Sequence, residues 1–218
     1  MEAISRNLNS IDAITLLLVL SLIMITIVRF FYRTRFANYM ILPINNKYVT
    51  IYSKKGRMRS WFHFGNLLFQ LLNFSVFAHL VAKAFTEKDE FQFLEVYLLF
   101  GFGLGLYLFS KMVLQLCAGF IFDIQGKILE LMFNKQSYFN YSAFVACIAN
   151  IFLAYIFPDS KSIIYLALAL IILINISCIY SLINVNQNII QNRFMYFILY
   201  LCALEIAPLV IFASYLKG

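Results

Sequence analysis

Apolar residues in this chain come in long unbroken runs rather than at a helical or strand period, with short polar stretches between them. Runs of about 20 apolar residues are long enough to cross a bilayer core as α-helices. Spans are expected at about 13–32, 61–85, 96–117, 138–157, 162–183 and 194–216. The expected fold is all-α: one polytopic membrane domain over residues 1–218, a bundle of about six transmembrane helices. Asp123 to Gln136 is too polar to span. Ile124, Ile128, Leu131 and Met132 share one face there, which predicts a short interfacial helix.

The polar connections refine this layout. The longest, 33–60, carries the turn signals Asn45-Asn46 and Lys54-Lys55-Gly56. Between them Lys47 to Ser53 is rich in β-branched and tyrosine residues, which fits a small hairpin on the lipid headgroups, although a basic interfacial loop that only fixes orientation is the leading reading. The first run reads as an uncleaved span, since its lead has no net positive charge and Arg29, Arg33 and Arg35 follow it. The turn Pro158-Asp159-Ser160-Lys161 is tight, so the fourth and fifth spans are expected to be antiparallel neighbours.

Composition agrees with a membrane protein. Hydrophobic residues make up 63% of the chain and charged residues 12%, against about a quarter in soluble domains. The net charge of +7 does not point to nucleic acid, because seven of the 17 basic residues crowd between Arg33 and Arg59. That is the positive-inside pattern, with the basic loop drawn to anionic headgroups on the cytoplasmic side. Six spans put eleven basic residues inside and five outside, with Lys111 within a span and both termini periplasmic. The cysteines Cys117, Cys147, Cys178 and Cys202 form no Cys-x-x-Cys pair and read as small packing residues.

A few polar residues interrupt the spans, and they are the candidate functional cluster. Asn66, Gln70 and Asn73 lie on one face of the second span together with His63. Such a stripe normally hydrogen-bonds a neighbouring helix, and a hydrated path is the functional alternative. Gly101 and Gly105, four apart in the third span, let another helix approach closely. Lys111 lies in the same span, where snorkelling to the headgroups is its ordinary role. Glu205 is the only charged residue in the run from Phe194 to Leu216, and Pro208 leaves the Leu204 carbonyl without its helical donor. A carboxyl group at that depth needs a proton, a partner or water, and Lys111 is within stem's reach of it by depth.

The chain resembles a Bacteroidota family of integral membrane proteins catalogued as domain of unknown function forty-two seventy-one. The resemblance rests on Asp12, Arg35-Phe36, Phe133-Asn134-Lys135-Gln136, Tyr138-Phe139-Asn140 and, most specifically, Leu199 to Pro208. Where the family often carries Trp after the aspartate, this chain has Ala13. The family implies a Gram-negative inner membrane and supplies no activity or active-site residue.

Catalysis is the weakest reading. His63 and His79 have no second ligand at metal spacing, and no nucleophile or paired-carboxylate motif occurs, so no catalytic residue, metal or cofactor is assigned. The leading expectation is a non-enzymatic structural or assembly subunit of an envelope complex, with a membrane protein partner or a second copy. The alternative is a small carrier or proton-coupled protein using Glu205. The charge ledger predicts the topology. A cysteine placed after Lys55 should label only from the cytoplasmic side and one placed after Gly218 only from the periplasmic side, and the reverse at either site would refute six spans.

Overall fold

The structure, a computed structural model, describes residues 9–43, 47–52, 61–85, 93–121 and 125–185. These residues form α1 (Asn9–Phe31), α2 (Arg33–Met40), α3 (Lys47–Tyr52), α4 (Trp61–Phe85), α5 (Phe93–Ile121), α6 (Gln125–Ile151) and α7 (Lys161–Val185). A π-helical turn, Phe152–Ile156, extends α6. Among the described residues there is no strand, and five helices are long and apolar enough to cross a membrane. The protein is an all-α, multi-pass membrane protein. The sixth apolar run, 194–216, lies outside the described residues.

Helices α4 and α6 form the inner pair. In each, 44% of the spanning window is buried, against 12–22% in α1, α5 and α7. Helix α4 packs against α1, α5 and α6, and α6 packs in turn against α5 and α7. The reason lies in the side chains. The outer helices turn large apolar groups outward, such as Leu16, Phe102, Phe120 and Leu166. Lipid tails solvate these as well as protein would. Helices α4 and α6 instead bury Asn66, Gln70, Asn73, Asn134, Asn140 and Asn150, whose amides find no partners in hydrocarbon.

Small residues set the helix approaches. Gly101 of α5 sits over Ser75 of α4, with room for a Cβ only 3.0 Å from the serine hydroxyl. Gly105 faces Leu71 one turn away, so α5 runs antiparallel to α4. On another face of α4, Gly65 lies directly against Val28 of α1.

Two expectations change. The segment from Lys47 to Tyr52 is a helix, not a strand of a hairpin. Tyr48 and Val49 are both buried, with Tyr52 half-buried, and only a helix puts such neighbours on one face; a strand sends adjacent side chains to opposite sides. Secondly, Gln125 to Gln136 is not set apart from the fourth span but runs unbroken into it as α6. Its apolar face is buried as expected, at Ile128, Leu131 and Met132. Its polar residues Asn134, Ser137 and Asn140 are buried too, so polarity there marked a protein interior rather than an interface.

Beyond the π-helical turn the chain reverses through Pro158 and Asp159, whose φ of 60° is the left-handed conformation that aspartate tolerates. The reversal lays α7 antiparallel along α6. The Gly65 contact yields a prediction. Gly65→Ala adds a Cβ that collides with the stiff Val28 side chain, and overpacking of about 1–3 kcal/mol outweighs the roughly 1 kcal/mol gained in helix propensity. Thermal unfolding in detergent should fall in Gly65→Ala and recover in Gly65→Ala with Val28→Ala; an unchanged midpoint in the single variant would contradict the contact.

Candidate functional site

Asn66, Gln70 and Asn73 are fully buried and face α6. The two helices run in the same direction, in contact from His63 against the Phe133 ring, 4.7 Å between centroids, up to Asn73 against Asn150. Gln136 Nε2 donates to Gln70 Oε1 at 3.0 Å and to Asn140 Oδ1 at 2.9 Å. Asn150 Nδ2 donates to the main-chain carbonyl of Asn73 at 2.9 Å. These bonds tie the inner pair together across a polar seam.

The asparagines of α4 spend their own N–H groups locally. Asn66 Nδ2 donates to the Phe62 carbonyl at 2.8 Å and Asn73 Nδ2 to the Phe69 carbonyl at 2.9 Å. Such back-bonding to the preceding turn is an ordinary option for short polar side chains in helices. It leaves Oδ1 of Asn66 and of Asn73 buried without a partner among the described residues, together with Nε2 of Gln70, Oδ1 of Asn150 and Nε2 of His63. The seam thus combines firm interhelical bonds with a row of open polar atoms. Amides neither attack nor titrate, and among the described residues no three His, Cys, Asp or Glu converge on a metal-sized site.

One end of the seam is closed by a cap. Helices α2 and α3 fold onto α4 and α6 through an aromatic cluster that includes Phe36, Tyr39, Tyr48, Phe62 and Phe133. Three hydroxyls stitch this cap to α6: Tyr39 donates to the Ser137 carbonyl at 3.2 Å, Tyr138 to Leu42 at 3.3 Å and Tyr141 to Met40 at 3.4 Å. Arg35 is buried within it, its guanidinium 4.5 Å from the Phe62 ring centroid and 5.0 Å from that of Tyr52. A desolvated cation over aromatic faces contributes about 2 kcal/mol. Burial raises the Tyr39 hydroxyl well above the usual tyrosine range, with Tyr48 and Tyr141 adding to the effect. Burial also pushes Tyr48 up to about 12, against the opposing pull of Arg35. Both phenols therefore stay neutral at physiological pH.

The other candidates sit elsewhere. Lys111 is on α5, which meets α4 along Leu71 and Ser75 rather than along the amide face. Its ammonium lies 6.0 Å from the Tyr107 ring centroid one turn away. Glu205 and Pro208, and with them any pairing of Glu205 with Lys111, lie outside the described residues. Sequence reasoning assigned Arg35 only to the basic loop and gave no role to Gln136 or to the cap tyrosines. A signal existed for some of them, because Arg35-Phe36 and the run from Phe133 to Asn140 are where the cap and α6 meet.

The seam predicts a measurable coupling. Gln70→Leu and Gln136→Leu should each lower stability by about 0.6–2 kcal/mol, the scale of interhelical hydrogen bonds in membranes. The double variant should lose less than the sum of the two, in equilibrium unfolding from mixed micelles. Strict additivity would mean that the 3.0 Å bond contributes nothing.

No curated protein and no solved structure matches the chain. A family model described as Domain of unknown function (DUF4271) matches residues 14–216, nearly the whole length. The chain belongs to this family.

Proposed function

We propose that the protein is a non-enzymatic structural or assembly subunit of a cell-envelope complex in a Gram-negative inner membrane, of the Bacteroidota type. The observation that supports this is the use made of its polar groups. Gln70, Gln136, Asn150 and the cap tyrosines join helices and bind the cap to the bundle. Among the described residues no group of three His, Cys, Asp or Glu is placed to hold a metal ion. Eleven basic residues on one side give the orientation, with both termini periplasmic and the segment from Arg33 to Arg59 against anionic headgroups.

A second reading is favoured by one observation, the row of open polar atoms along the seam. A small carrier or proton-coupled protein would use such a row as an access route, with Glu205 as the titrating group. Purification of the intact protein from native membranes separates the two readings. A stoichiometric membrane partner is the expected result. Isolation of the chain alone, together with loss of function at normal abundance in Glu205→Gln, would overturn the assembly reading in favour of the carrier.

A further inference from the structure

We infer that the seam between α4 and α6 holds ordered water, in a file that runs from beneath the cap to Asn73. This does not depend on the assembly reading and stands whichever function is correct. Its basis is the set of open atoms: Nε2 of His63, Oδ1 of Asn66, Nε2 of Gln70, Oδ1 of Asn73 and Oδ1 of Asn150, on side chains all at least nine-tenths buried. Successive members on α4 are three or four residues apart, so their side chains stand about 5–6 Å from one another. One or two water molecules bridge such a gap. From His63 to Asn73 the row climbs about 15 Å at the rise of an α-helix, which is about half the thickness of a bilayer core.

The chemistry of the set selects the occupant. Three of the atoms are amide oxygens, which only accept; Gln70 Nε2 only donates; His63 Nε2 does either, according to tautomer. Water both donates and accepts, so it meets donors and acceptors in one file, and it needs two to four polar partners per molecule. A cation is disfavoured because, among the described residues, no carboxylate is placed along the row, and the Arg35 guanidinium stands at its cap end, against Phe62. An anion is disfavoured by the three oxygens. Beyond Asn73 the contacts turn apolar, with Val76, Phe77 and Leu80 packed against Ala146, Ala149 and Leu153. Ser75, at that level, already donates to the Leu71 carbonyl at 2.7 Å. The water stops where its partners stop.

Radiolytic hydroxyl labelling in ¹⁸O water reads this directly, on the full chain in lipid nanodiscs. Phe133 and Phe77 are comparably buried, at 2% and 5% exposure, but Phe133 touches His63 and Phe77 lies in the dry cluster. Phe133 should be oxidised about tenfold faster than Phe77, because ordered water lies beside it. Equal rates, whether both are protected or both labelled, would overturn the inference. In a folded Asn66→Leu, Asn73→Leu double variant the Phe133 rate should fall to that of Phe77, and persistent labelling there would also overturn it. If that variant does not fold, the comparison within the parent decides. Labelling should be the same in potassium and in choline buffer; dependence on potassium would assign a cation instead.

Discussion

An amide group cannot be turned to lipid tails without losing its hydrogen bonds, and this constraint organises the protein. Helices α4 and α6 carry most of the buried amides among the described residues, so they take the centre, and α1, α5 and α7 shield them with largely apolar surface. Because lipid is as apolar as leucine, burying Phe or Leu gives little to hold helices together within the membrane. What remains is close packing at Gly65, Gly101 and Gly105, and the bonds of Gln136 and Asn150 across the seam.

The cap follows from the same constraint at the end of the bundle. Helices α2 and α3 are too short to span, and Arg33–Met40 is polar in composition, yet Arg35, Phe36 and Tyr39 are buried. Aromatic residues solve this because each joins a large apolar face to a hydroxyl that can reach a main-chain carbonyl. Tyr39, Tyr138 and Tyr141 each do so across the boundary between cap and bundle. Arg35 is accommodated by the faces of Phe62 and Tyr52, leaving a buried charge one residue from the start of the seam.

Much of this architecture was legible in the sequence because run length answers directly to membrane thickness. The all-α bundle needed only the apolar runs, and the common face of Asn66, Gln70 and Asn73 needed only a helical period. Two features were not legible. The segment 47–52 has strand-like composition, but the burial of Tyr48 and Val49 side by side, a tertiary fact, makes it a helix. The polar residues from Asn134 to Asn140 looked like surface because a sequence gives polarity without location. Whether a buried amide is satisfied is a further step removed. Asn66 and Gln70 read alike in the sequence, yet one bonds its own helix and the other bonds α6. The surroundings of Glu205 lie outside the described residues, so its role rests on the charge argument alone.

The two halves of the bundle differ in a way that bears on any transport reading. The cap half holds the seam, Arg35 and the aromatic cluster, while the opposite half packs Ile14, Leu18, Phe77 and Leu153 with small residues. Among the described residues, a route along the seam is therefore closed beyond Asn73 by apolar contact. A carrier must expose its site to each side in turn, so it would have to part α1 from α4 and α6 in that half. Tyr155 in the π-helical turn opposes this movement, donating to the Thr15 hydroxyl of α1 at 2.7 Å. Tyr155 lies within the π-helical turn, and the left-handed Asp159 follows four residues later, so that bond sits where the regular α-helix of α6 ends. An assembly subunit has no need of such movement, and for it the same bond fixes the first helix to the end of α6.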